Sequence, residues 1–329
     1  MQYRNLGRTG MKVSEISLGT WLSCDSLEEK NSSIQIIDKA YELGINFFDT
    51  ANAYSAGRSE LILGEALKKY PRESYVLATK VYFPLGTGAN AMGLSRKNIL
   101  QQVDASLKRL GTDYIDLYYC HWFDLNTPVE ETLRAMDDLV HQGKVLYIGV
   151  SNWTAAQISE GLRVCDRYLL YKMAANQPSY NIFDRYIEKE SIPLCEKNGI
   201  SQVVYSPLAQ GMLTGKYKKG MKAPEGSRAA NPGAKAEVTV WDYLNDELLD
   251  KVDGLGKIAG EMGISLSQLA LAWILRQPNV ASTIIGASKP SQVEENVKAS
   301  GIKLAGDVLE KIEELVKDLK YVIKHNIIS

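Results

Sequence analysis

YVLATKV at residues 75–81 and YIDLYYCH at 114–121 decide the fold. Each is a short apolar run rich in β-branched and aromatic residues, and the stretch between them carries helical periodicity. Strand, helix and strand in that order form one parallel β/α unit. Working outward, the unit recurs: SEISLGT (14–20) and NFFDT (46–50) come before the pair, and YIGVS (147–151), MAANQ (173–177), QVVYSP (202–207) and STIIGA (282–287) follow it. Eight near-equal units without a mid-chain shift in composition predict closure into a (β/α)₈ barrel rather than an open doubly wound sheet. The whole chain, 1–329, is expected to be one such domain.

The connections are partly legible. Ser32-x-x-Gln35 has the form of a capping box and predicts the start of a helix that stops at Gly44, and another helix is predicted to stop at Gly143. The opening YRNLGRTGMKV (3–13) predicts a β-hairpin placed to cap the bottom of the barrel. The longest interval between strands, 208–281, contains GMLTGKYKKGMKAPEGSRAANPGAK (211–235), with helical patterns resuming near Asn245 and Ser265. A long insertion of this composition after the seventh strand is a candidate cofactor clamp. The tail KYVIKHNIIS (320–329) is a candidate cover for a pocket.

Composition narrows the function. Hydrophobic residues make up 45% and charged residues 23% of the chain, as in an ordinary globular protein. A formal net charge of -1, with Lys and Arg spread along the chain, argues against a nucleic-acid partner. Cys24, Cys120, Cys165 and Cys195 lie far apart without a Cys-x-x-Cys, so reduced thiols are expected and no metal site. Neither a basic segment followed by an apolar run nor a stretch of 18 apolar residues is present, which predicts no membrane span and a cytoplasmic location.

In a (β/α)₈ barrel the reactive residues stand at the C-terminal ends of strands. The second, third and fourth predicted strands end in Asp49, Lys80 and His121, and Tyr54 follows in the second β/α loop. Singly, each has a plain structural reading as a cap, a solvated cation or a packing aromatic. Together they suggest acid chemistry. A tyrosine of ordinary pKa about 10 is a poor proton donor at neutral pH unless a cation stabilises its phenolate. Lys80 is placed to supply that cation, Asp49 to hold Lys80, and His121 to orient a substrate oxygen or share the proton. Two decoys fall away: Gly254-Leu255-Gly256-Lys257-Ile258-Ala259-Gly260 lies in a helical pattern with the wrong spacing for a dinucleotide fingerprint, and Cys120 points away from His121 on its strand.

Several motifs, in order, resemble those of the aldo-keto reductases: LGRTGMKVSEISLGTW, GINFFDTANAYSAGRSE, LATK, YIDLYYCHW, GKVLYIGVSN, NQPSYN, VVYSPLAQGML and IIGASKPSQVEEN. The resemblance runs from Tyr3 to about Asn296. It points to the branch with bacterial aldo-keto reductases and the β subunits of voltage-gated potassium channels. It implies NADPH-dependent reduction of an aldehyde or ketone, with Tyr54 as proton donor assisted by Lys80, Asp49 and His121; the channel subunits carry Asn at the position of His121. It further implies Tyr205 stacked on the nicotinamide, with Ser151, Asn152 and Gln177 on its carboxamide. Thr20, Trp21 and Asp49 would lie along the nicotinamide half, and Trp21, Tyr54, His121 and Trp122 around the substrate. Ser206, Pro207, Leu208, Ala209, Gln210, Gly211 and Lys216 match the pyrophosphate loop, and Ser227 and Arg228 its partner in gripping the adenosine phosphate. Gly286, Ser288, Lys289, Gln292, Glu295 and Asn296 match the adenosine end, where cations favour NADPH over NADH.

Two other readings share these residues. A Schiff-base aldolase would use Lys80 as nucleophile. An NADPH-sensing regulatory subunit would use the same cofactor site and act through a partner, although no arm precedes the predicted barrel and His121 favours the reductase. The partner expected on the reductase reading is a small carbonyl compound. Homo-oligomerisation stays open: the resemblance admits rings of barrels, while no interface is legible in the sequence.

Overall fold

The computed structural model describes residues 1–21, 27–230 and 240–319. A two-stranded antiparallel hairpin, β1 (Tyr3–Asn5) and β2 (Lys12–Ser14), precedes the barrel. The barrel strands are β3 (Ile16–Gly19), β4 (Phe47–Asp49), β5 (Val76–Val81), β6 (Ile115–Cys120), β7 (Val145–Ser151), β8 (Ala175–Gln177), β9 (Ser201–Val204) and β10 (Val280–Ile285). All neighbours pair in parallel and β10 closes onto β3, so the predicted (β/α)₈ barrel with its N-terminal hairpin is the observed architecture.

Two apolar layers follow from the period-2 alternation of strands. Phe47, Val76, Ala78, Leu117, Tyr119, Ala175 and Val203 pack together inside the barrel, where Leu6 and Val13 of the hairpin join them. Phe48, Leu77, Val81, Tyr118, Cys120 and Ile148 lie in the outer layer, against the helices. The Tyr119 ring has room because Gly149 faces it: a Cβ there would stand 2.6 Å from the ring. The hairpin is tied down by Arg4, which pairs with Glu15 at 2.7 Å and donates to the carbonyls of Leu275, Gln277 and Val280.

The helix ends correct one expectation. The first barrel helix is Leu27–Glu42, so Ser32 and Gln35 lie inside it rather than at its start. Glu28, Glu29 and Lys30 are good helix formers and carry the helix upstream of the Ser-x-x-Gln pattern. Capping boxes are present instead at Thr154/Gln157 and Ser265/Gln268, and Asn245 caps the helix Asp246–Glu261. That helix contains the Gly254–Gly260 decoy. The predicted stop at Gly143 follows the helix Val129–His141. Cys24, residues 231–235 of the long insertion and the tail 320–329 lie outside the described residues. No single helix among the described residues is long and apolar enough to cross a membrane.

Candidate active site

The same alternation that builds the inner layer delivers the site. On β5 the inward positions run Val76, Ala78, Lys80; β4 ends inward in Asp49 after Phe47; β6 runs Leu117, Tyr119 and then His121. Three polar side chains therefore replace apolar ones at the last inward step of adjacent strands. Their polar atoms converge above the core.

Lys80 is fully buried and donates in three directions: to Asp49 Oδ1 at 2.5 Å, to the Thr50 carbonyl at 2.8 Å and to Tyr54 Oη at 3.3 Å. Asp49 accepts a further bond from Gln177 Nε2 at 2.8 Å through its other oxygen. The His121 ring stands edge-on to Tyr54 with centroids 5.7 Å apart, and Nδ1 is buried without a hydrogen-bond partner among the described residues. Phe83, in the loop after β5, lies 4.9 Å from the His121 ring and 6.2 Å from Trp122. Phe83 went unnamed in the sequence reading, although its position three residues beyond Lys80 was the available signal.

The electrostatics amend one expectation. Burial pushes the Tyr54 pKa well above 10.0, and the Asp49 charge adds to the rise. Lys80 therefore does not leave the resting phenol acidic. Its ammonium is matched by Asp49, and desolvation of the ring dominates. Burial lowers the Lys80 pKa from 10.5, opposed by Asp49 and, more weakly, by Glu60. Burial and then the Lys80 charge hold the His121 pKa well below 6.5. The arrangement at neutral pH is a loaded phenol, an ammonium beside it and a neutral imidazole. With all three Lys80 protons donated, no lone pair faces the cavity, which disfavours nucleophilic attack by this amine. Cys120, in the outer layer, has its thiol pushed up to about 12 by burial and is inert.

The residues expected around a dinucleotide form a second cluster on the same mouth. Ser151, Gln177 and Tyr205 stand at or just beyond the ends of β7, β8 and β9. Ser151 donates to the Gln177 carbonyl at 2.8 Å, Asn152 Nδ2 to Ser151 Oγ at 3.2 Å, and Tyr205 Oη to Asn152 Oδ1 at 3.0 Å. Thr20, just beyond β3, has a buried hydroxyl bonded to the Asp49 carbonyl at 3.4 Å, which fastens β3 to β4.

After β9 the loop Ser206-Pro207-Leu208-Ala209-Gln210-Gly211 contains three non-glycine residues with left-handed backbone, Ser206 (φ 54°), Ala209 (φ 46°) and Gln210 (φ 56°). Such conformations cost on the order of 1 kcal/mol each and gather where a ligand is clamped. Gln210 bridges Ser206 Oγ, at 2.8 Å, and the Arg228 guanidinium. Arg228 in turn lies 5.9 Å from the Trp21 ring and reaches towards Gly286. Lys216 folds over Gly211, its Nζ 3.1 Å from where a Cβ would be. Ser227 Oγ is buried without a partner among the described residues. At the end of β10, Ser288 donates to Gln292 at 2.7 Å, Glu295 accepts from Gln268 at 2.8 Å, Lys289 is exposed and Asn296 is buried. Gln268 was missed because it approaches Glu295 from a separate helix. The cations, the orphaned hydroxyl and the strained loop suit a phosphate-bearing cofactor.

Fold and site together define the class: a (β/α)₈ barrel with Asp49, Tyr54, Lys80 and His121 gathered at the C-terminal ends of its strands. The sequence model of the Aldo/keto reductase family matches residues 15–317, and the chain belongs to that family. Among its relatives, an Arabidopsis thaliana protein described as a probable voltage-gated potassium channel subunit beta is 43% identical over 322 residues, covering 96% of this chain and 97% of the relative. An Oryza sativa subsp. japonica protein of the same description is 42% identical with the same coverage. A Schizosaccharomyces pombe protein described as a "putative voltage-gated potassium channel subunit beta" is 43% identical, over 95% of this chain and 93% of its own length.

Proposed function

We propose that the protein is an NADPH-dependent carbonyl reductase in which Tyr54 delivers the proton to the carbonyl oxygen. The observation that carries this reading is the Lys80 ammonium bonded to both Asp49 and Tyr54 at the barrel mouth. When bound, the nicotinamide supplies the hydride. Ser151, Asn152, Gln177 and Tyr205 would hold its ring, and Ser206–Gly211, Lys216, Arg228 and the segment from Gly286 to Asn296 its phosphates and adenosine. Burial keeps the Tyr54 proton in place until a carbonyl oxygen gains charge beside it. Lys80 then stabilises the phenolate left behind, and Asp49 keeps Lys80 oriented. Neutral His121 hydrogen-bonds the substrate oxygen, and Phe83, Trp21 and Trp122 wall off water.

The direct test is loss of NADPH absorbance with a panel of aldehydes, ketones and dicarbonyls. Turnover supports the reading. Tight NADPH binding with no turnover supports instead a cofactor-sensing regulatory subunit, the alternative favoured by the relatives described as channel β subunits.

The pKa directions predict the pH dependence of kcat. Because His121 is held well below 6.5, no inflection is expected near that pH. Lys80, lowered from 10.5, sets the alkaline limb. As pH rises through its pKa the ammonium is lost, the Tyr54 phenolate loses its counter-charge, and kcat falls. A histidine-like inflection near neutrality in the profile would contradict this assignment.

For the cofactor, Arg228→Ala is expected to raise the NADPH Kd roughly 10- to 100-fold, the worth of one charge-assisted hydrogen bond. NADH binding, followed by the same fluorescence titration, should change far less. Equal losses for both cofactors would remove Arg228 from 2′-phosphate recognition.

A further inference from the structure

The loop that carries Tyr54 is backbone-strained. Ser55 (φ 46°), Ala56 (φ 54°) and Gly57 (φ 87°) are three consecutive left-handed residues between Tyr54 and the helix Arg58–Leu67. The loop's local hydrogen bonds run from Tyr54 N to the Ala51 carbonyl and from Ala56 N to that of Ala53, both at 3.2 Å, and from the backbone N–H and Nε of Arg58 to the Ser55 carbonyl. Left-handed geometry at two non-glycine residues persists only when surrounding structure over-determines it.

That structure is the helix Arg96–Leu110, which holds the loop at both ends. At the near end, buried Asn52 donates its backbone N–H to the Lys80 carbonyl at 3.3 Å and its side-chain amide to Gln102 Oε1 at 3.0 Å. At the far end, Arg109 lies across Gly57, where a Cβ would meet its Cδ at 3.0 Å, and its Nε donates to Glu60 Oε2 at 2.6 Å. Glu60 has no exposed surface, and its other oxygen accepts from Thr79 Oγ1 at 2.6 Å. Thr79 precedes Lys80 on β5 and faces outward, so one carboxylate joins the helix after Tyr54 to the strand that carries Lys80.

We propose that the helix Arg96–Leu110 is the buttress that sets the Tyr54 hydroxyl on the Lys80 ammonium, with Gln102, Arg109 and Glu60 as positioning residues. None of the three touches the reacting atoms. They act through Asn52, Gly57 and Thr79, each adjacent to or within three residues of a member of the proton-donating pair. The inference rests on the reductase reading for its kinetic consequences and on the loop geometry alone for its structural ones.

The test uses the full chain carrying Gln102→Ala, Arg109→Ala or Arg109→Lys. Arg109→Ala leaves the Glu60 carboxylate buried without its cation and endangers folding. Gln102→Ala removes a single neutral hydrogen bond and carries the test independently. Amide hydrogen exchange is expected to accelerate at residues 53–57 in both alanine variants while the barrel strands keep their protection. In the same proteins kcat should fall roughly tenfold, as expected for a displaced catalytic group. KM and the NADPH Kd should stay within about twofold of wild type, and Arg109→Lys should recover most of kcat. Unchanged exchange at 53–57 in Gln102→Ala and Arg109→Ala would overturn the buttress, as would a loss of kcat matched by an equal loss of NADPH binding. A wild-type protein without carbonyl turnover sinks the reductase reading, and the exchange measurement still decides the buttress.

Discussion

Tyr54→Phe is expected to lower kcat roughly 10²- to 10⁴-fold, the range that a positioned general acid contributes, with the NADPH Kd essentially unchanged. The ring keeps its place because what holds it is packing: the Lys80 ammonium lies 4.9 Å from its centroid and the His121 ring stands edge-on. Only the hydroxyl is lost, and no other described group is built to replace it. His121 is held neutral by burial and Lys80, and Lys80 is engaged with Asp49 and Thr50. Activity would therefore persist only through water, with the carbonyl still placed beside the hydride. A variant that retains more than about a tenth of wild-type kcat would transfer the proton to another donor and leave Tyr54 as a wall of the pocket.

Lys80→Met should damage both activity and stability. Asp49 is 3% exposed, and without Lys80 its carboxylate keeps only the Gln177 amide as a side-chain partner among the described residues. Removing one partner of a buried ion pair costs about 3–5 kcal/mol, which in a chain of this length corresponds to a fall in Tm of about 4–7 °C. Asp49→Asn combined with Lys80→Met removes the stranded charge and should recover most of the lost Tm. Turnover should not return, because the phenolate still lacks its cation. Thermal melts of the single and double variants, read beside their kcat, separate the two roles. A double variant that stays as unstable as the single would mean that Lys80 contributes through packing of its stem rather than through charge.

Much of this site is legible in the amino-acid sequence. Asp49, Lys80 and His121 were visible as polar residues closing apolar runs, and the parity of those runs placed all three on one face of the sheet. The left-handed character of Asn152, Ser206 and Gln210 was hidden, as was the commitment of the Thr20 hydroxyl to Asp49. Backbone torsions at non-glycine positions are imposed by surrounding contacts and leave no mark in composition. The burial that raises the Tyr54 pKa is hidden for the same reason: a neighbouring cation is legible in motif order, whereas the desolvation that outweighs it is not. The early start of the helix Leu27–Glu42 shows the smaller version of the problem, a local capping signal overridden by helix-forming residues upstream.

The sequence by itself determined the eight parallel strands, the inward set that ends in Asp49, Lys80 and His121, and the family to which the chain belongs. These depend on patterns that repeat every two residues or over one β/α unit, and such patterns are local. Tertiary structure alone decided which groups hold the site in register. Glu60 and Arg109 are 49 positions apart, and Gln177 and Asp49 are separated by 128. Closure of the barrel and packing of the helix Arg96–Leu110 against the Tyr54 loop bring these pairs together, and no spacing in the chain encodes the approach.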